Sequence, residues 1–86
     1  MKEVGDYVIQ ECFSINLRWY RLKKNYTQEK LAELSNLNAK YISDLERGKY
    51  CPSLNKLQAL ANALEIEPYD LIKPDNLDDK NKIIIK

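Results

Sequence analysis

The segment TQEKLAELSNLNAKYISDLERG, residues 27–48, constrains the fold more than any other part of the chain. It carries two apolar helical patterns with a gap too short to let the helices part. Thr27 is a good N-cap for a helix that turns Leu31, Ala32 and Ser35 inward. That helix stops at Asn36, where a tight turn commonly needs a positive φ; after Gly, Asn is the most tolerant residue there. Asn38 can cap the next helix. At about 100° per residue, Tyr41, Ile42 and Leu45 fall on its inner side, and Ala39, Lys40, Ser43, Asp44 and Arg47 fall on the other. Gly48 is a natural stop. Two short helices are thus held at a set angle, with the second presenting a polar face.

The remaining chain supplies helices around this pair. A first helix is expected from about Val8 to Lys24, with Phe13, Leu17, Tyr20 and Lys24 on one stripe and Cys12, Ile15, Trp19 and Leu22 on another. Ser53 caps a fourth, LNKLQALANALE, whose inner stripe is Leu54, Leu57, Leu60, Ala61 and Leu64. Pro68 suits the first turn of a short fifth helix ending before Pro74. The tail NLDDKNKIIIK reads as having no helical period. Its isoleucines, Ile83 to Ile85, leave three choices open: a short strand, a segment packed on the second stripe of helix 1, or a disordered end. With 86 residues, 44% of them hydrophobic and only two Gly and three Pro, the expectation is one compact all-α domain of five helices. Residues 1–12 are read as an N-terminal extension and the start of helix 1, residues 13–73 as the domain, and residues 74–86 as a tail.

Several function classes lose support at once. The N-terminus MKEVGDYVIQECF lacks the basic start and apolar run of a secretory signal, and no stretch approaches a membrane span, so a cytoplasmic protein is expected. Cys12 and Cys51 have no CxxC spacing and read as a buried or loop thiol, not a metal or redox site. There is no His, no glycine-rich phosphate loop and no carboxylate cluster at metal-ligand spacing; neither a catalytic residue nor a metal site nor a cofactor is expected. The net charge of +1 hides a zoned distribution. Residues 18–56 hold nine basic against four acidic side chains, net +5, whereas residues 57–79 hold one against six, net −5. Plain solvated helix faces predict no such zoning.

Two helices joined by a three- or four-residue turn, the second with an exposed polar face, have the geometry of a helix-turn-helix, whose second helix enters the DNA major groove. TQEKLA, YISDLERGK, PSLNKLQALANAL and the spacing between them resemble the lambda-repressor-like helix-turn-helix domains of the Cro and xenobiotic-response-element type. The resemblance covers residues 13–72. It implies a DNA-binding transcriptional regulator in which Asn38, Ala39, Lys40, Ser43 and Asp44 face bases or backbone, and Gln28, Arg47 and Lys49 hold phosphates. Glu46, placed by its angle beside Ile42, needs a cation, and Arg21 is the expected partner; the resemblance implies the same structural bridge. Asn36 replaces the family's usual Gly. Ala39 offers no hydrogen bond where many members carry Gln or Arg, so it can only touch a thymine methyl or leave room for the groove. Lys40 can donate to guanine, and Asp44 can accept from cytosine or repel phosphates at wrong sites. Tyr26, Tyr41 and Tyr50 lie near these elements, either half-buried or within reach of phosphates, with Tyr41 the first candidate.

So few readers give one subunit little specificity, and a two-fold pair would place two recognition helices roughly 34 Å apart on one DNA face. A homodimer on an inverted-repeat operator is expected, with Ile66, Pro68, Tyr69, Leu71 and Ile72 divided between core and partner surface. The Ile15, Trp19 and Leu22 stripe is a second candidate patch, unless the chain's own ends cover it. Short controllers of restriction-modification systems and small phage-type repressors are similar versions of the family, which points to a prokaryotic source. No ligand-sensing domain is expected after Ile72. A different class also fits: a protein-interaction module, such as an antitoxin or adaptor, that uses the helices to hold a partner. RNA binding has less support, because no aromatic stacking platform is legible.

Overall fold

A computed structural model of the chain describes residues 8–75 and 77–84, the last four through their backbone. Five α-helices follow one another: α1 (Ile9–Lys23), α2 (Gln28–Ser35), α3 (Ala39–Glu46), α4 (Leu54–Leu64) and α5 (Leu77–Ile84), with a 3-10 turn at Pro68–Leu71 between α4 and α5. The helix boundaries follow local chemistry. Thr27, Asn38 and Ser53 each accept, through the side-chain oxygen, the backbone N–H three residues on, at 2.9, 2.7 and 3.3 Å. Each bond satisfies a donor that a helix start otherwise leaves unpaired. At the other ends, Asn36 takes φ 59° and Gly48 φ 75°, and the chain reverses after each. Leu37 N–H then donates to Ala32 O at 2.9 Å and Lys49 N–H to Asp44 O at 2.9 Å, closing both helices with a left-handed cap.

The core is built from one stripe of each of the first four helices. Phe13 and Leu17 of α1, Leu31 and Ala32 of α2, Ile42 and Leu45 of α3, and Leu60, Ala61 and Leu64 of α4 meet in one buried cluster, which Leu71 completes. α1 packs on α3, the 3-10 turn and α5, while α2 packs on both α3 and α4. The two-helix corner is therefore buttressed from two sides. Leu54 departs from the expected inner stripe: at 82% exposed it stands in solvent, because the first turn of α4 runs past the edge of the core.

The tail also differs from its sequence reading. Residues 77–84 are helical, and α5 lies along α1. Leu77 is buried, and so is Lys80, whose Nζ donates to Asn16 Oδ1 at 2.8 Å. The ammonium also sits 5.0 Å from the centre of the Trp19 ring and 5.4 Å from that of Tyr20. A lysine occupying the anchor position of a helix hides the helical period from any count of apolar residues, since its stem packs while its head finds polar company. α5 meets α1 at Trp19, and the backbone of residues 83 and 84 is helical rather than a strand. The side chains of Ile83 and Ile84 and all of Ile85 lie outside the described residues.

Asn16 is the polar pin of this arrangement. It is fully buried, and its amide donates to Leu71 O at 3.2 Å and to Lys73 O at 2.8 Å while its carbonyl receives Lys80. One side chain thus ties α1 to the 3-10 turn and to α5. At about 1 kcal/mol per net hydrogen bond, with more for the charged donor, Asn16→Ala is expected to destabilise the domain by roughly 3–4 kcal/mol. A thermal melt within a few degrees of the parent would show that the pin is dispensable.

Candidate nucleic-acid interface

The corner between α2 and α3 is three residues long, and its angle is locked from beneath by an ion pair. Arg21 of α1 donates to Glu46 at the end of α3 through Nε at 2.6 Å and Nη2 at 3.0 Å, a two-point geometry between side chains only 10% and 3% exposed. Arg21 Nη1 donates further to Tyr26 O at 2.8 Å, and Gln28 Nε2 to Glu46 Oε1 at 3.1 Å. The bridge therefore binds α1, the entry to α2 and the exit of α3 into one unit. Buried charges need this degree of pairing to be tolerated. Gln28, expected on a phosphate, is half-buried with its amide turned toward Glu46. Gln10 adds a second tie, donating to Gly48 O at 2.5 Å.

Above this base, α3 presents its outer face. Lys40, Arg47 and Lys49 are exposed, as is Asn38, whose side-chain oxygen is already engaged as the helix cap. Ser43 is half-buried. Ala39, placed on the outer face by its angle, is half-buried against the core cluster. It sits in the first turn of α3, beside the closed corner, and its methyl is small enough to pack there.

Asp44 is the main correction. The helical angle places it outward with its neighbours, yet it is only 5% exposed. The side chain is short, and two long ones close over it: Arg47 Nη2 lies 2.5 Å from Oδ1, and Lys40 Nζ lies 3.3 and 3.4 Å from the two oxygens. Arg47 first, and Lys40 after it, hold the carboxyl below the usual aspartate range against the opposing effect of burial. It is ionised at neutral pH.

Beside the recognition helix lies an open groove of about 450 Å³, lined by Asn38, Lys40, Tyr41, Asp44, Tyr50 and Cys51. The rings of Tyr41 and Tyr50 stack with centres 6.4 Å apart, and Lys56 Nζ sits 4.9 Å from the Tyr41 ring. Burial raises the Tyr41 hydroxyl above the usual tyrosine range, so it remains a hydrogen-bond donor at neutral pH. Tyr26 is half-buried against the core, with its carbonyl on Arg21. Lys56 was not singled out from the sequence, and Cys51 was read there only as a buried or loop thiol. Lys56 carried a signal all the same, as the last base of the positive zone and a residue of the first turn of α4.

The apolar residues expected to divide between core and partner surface differ in exposure. Leu71 is fully buried and belongs to the core alone, so it is withdrawn as a surface candidate. Tyr69 is 64% exposed, while Ile66, Pro68 and Ile72 are half-buried. Among the described residues no group of three or more potential ligands is placed to hold a metal ion, and no helix is long and apolar enough to cross a membrane.

A braced two-helix corner whose second helix offers lysine, arginine and amide groups to solvent defines a helix-turn-helix domain, the class built to lay one helix in a DNA groove. Comparison with known proteins places the chain more closely. The helix-turn-helix family profile matches residues 17–71. Control protein C.BamHI of Bacillus amyloliquefaciens is 42% identical over 65 residues, spanning 74% of this chain and 80% of the relative. The immunity repressor protein of Bacillus phage phi105 is 40% identical over 57 residues, 66% of this chain but only 40% of the phage protein's length. Among solved structures, the restriction-modification controller protein C.AhdI from Aeromonas hydrophila superimposes with a TM-score of 0.71 at 42% identity, covering 76% of this chain and 98% of that one. The chain belongs to the helix-turn-helix family.

Proposed function

We propose that this DNA-binding transcriptional regulator acts as a homodimeric repressor, with α3 of each subunit in the major groove of one half of an inverted-repeat operator. The observation that carries the reading is the exposed cationic face at α3 and its C-terminal end, with Lys40, Arg47 and Lys49, standing on a buried Arg21–Glu46 bridge that ties the helix to α1. Rigidity matters because a good two-point contact to a base discriminates by about 1–3 kcal/mol only when its donors arrive in register. Lys40 is the base reader, while Arg47, Lys49 and the Tyr41 hydroxyl take phosphates. Lys56 adds a further cation beside Tyr41. The half-buried Ile66, Pro68 and Ile72 with the exposed Tyr69 form the partner surface.

The test is selection from random-sequence duplex DNA by the purified protein, with affinities titrated against salt. An enriched inverted repeat with half-sites about one helical turn apart supports the reading. An absence of both enrichment and salt-sensitive binding sinks it, and returns the fold to use as a protein-binding scaffold. Substitutions sort the roles. Lys40→Ala is expected to weaken operator binding roughly tenfold or more while random duplex loses far less; equal losses would move Lys40 to the phosphates. Arg47→Ala is expected to weaken both about equally and to lower the salt slope by roughly one.

A further inference from the structure

Two exposed cations on the outer face, Lys40 of α3 and Arg47 at its C-terminal cap, are not free. The side chains of Lys40 and Arg47 are 74% and 63% exposed, yet both point their charge back at Asp44, which is 6% exposed. The main-chain carbonyl of the same residue receives Lys49 N–H at 2.9 Å. The charges of Lys40 and Arg47 therefore converge on one covered carboxylate, whose own backbone is held by the helix cap. A carboxylate that reads a base must offer an oxygen to the groove, and here Lys40 contacts both oxygens while Arg47 also holds Oδ1. The cations, by contrast, keep donors to spare. An ammonium has three and a guanidinium five, so each can contact Asp44 and still reach DNA, in a direction the clamp has already chosen.

We infer that Asp44 is a positioning residue for DNA recognition, which clamps Lys40 and Arg47 in set directions and withholds part of their charge from the phosphates. The inference rests on the DNA-binding reading above. Its consequence is selectivity. Non-specific affinity comes almost wholly from cations neutralising phosphates, so a carboxylate shared between two cations weakens binding everywhere. At the operator the loss is offset, because Lys40 arrives aimed at its base instead of sampling many rotamers. Asp44 is a specificity-determining residue that touches no nucleotide.

The experiment compares Asp44→Asn and Asp44→Ser with the parent, on the selected operator and on random duplex of equal length, across a salt series and with a thermal melt of each protein. Asn keeps the size of the side chain, and Ser supplies a smaller replacement should the amide disturb the helix. The expected result is a gain of roughly three- to tenfold on random duplex. The salt slope should steepen by up to about 0.9 for each phosphate newly engaged, and the operator-to-random ratio should narrow. Adding Lys40→Ala to either variant should shrink the gain. A loss on the operator with random duplex unchanged would make Asp44 a direct base reader and overturn the inference. So would an unchanged ratio and slope, which would leave the clamp a purely structural contact. A parent protein with no salt-sensitive affinity for duplex DNA fails the proposed function itself, and the inference goes with it.

Discussion

Leu45→Asp is expected to leave the chain unfolded at room temperature. Leu45 is fully buried in the core cluster to which α1, α2, α3 and α4 all contribute. Removing its isobutyl group alone costs about 2–5 kcal/mol. The incoming carboxylate has no cation in the apolar cluster, and an unpaired buried charge adds several kcal/mol more. Native domains hold roughly 5–15 kcal/mol in all, and a chain this short stands at the lower end of that range. The two penalties together exhaust it. Far-UV circular dichroism and a thermal melt decide the matter: a variant that melts like the parent would mean that α3 does not pack through Leu45.

Glu46→Ala should produce the second largest effect, and by a different route. It strands the Arg21 guanidinium, at 10% side-chain exposure, with the Tyr26 carbonyl as its remaining acceptor among the described residues. Breaking a buried pair from one side typically costs about 3–5 kcal/mol. For a domain of this size that corresponds to a fall in Tm of roughly 12–40 °C. The companion Arg21→Met/Glu46→Leu removes both charges and is expected to recover most of the loss, because a well-packed apolar pair can match a buried ion pair in stability. Its DNA binding should not recover in step. With the two-point clamp gone, α3 is free to rock, and the operator-to-random ratio should drop while Tm stays near the parent's. A Glu46→Ala protein that melts within a few degrees of the parent would show the bridge to be ornamental.

Much of the fold was legible because it rests on local chemistry. Thr27, Asn36, Asn38, Gly48 and Ser53 each do one job that few residue types can do, so both ends of α2 and α3 and the start of α4 could be placed by inspection. The Arg21–Glu46 bridge was legible for a related reason, since a carboxylate at a core edge demands a cation. Three features escaped. α5 was hidden because Lys80 fills an anchor position that pattern counting scores as polar. Asp44 was placed outward because helical angle says where a side chain starts, and not whether longer neighbours will fold over it. Leu54 was placed inward because its spacing matches Leu57 and Leu64, whereas its exposure depends on where the neighbouring helices end. Each miss lies in tertiary context, which no local count contains.

The recognition helix is eight residues long, bounded by Asn38 and Arg47. Isolated helices of fewer than about 12–15 residues scarcely form in water. The reading surface therefore exists only while the core beneath it is intact, and a peptide copy of α3 would carry the right letters with no shape. Apparent affinity for DNA scales with the fraction of molecules that are folded. Warming the protein toward its melting transition should release the operator without any inducer. Substitutions such as Asn16→Ala, remote from every nucleotide, would then be recovered in a genetic screen as temperature-sensitive loss of regulation.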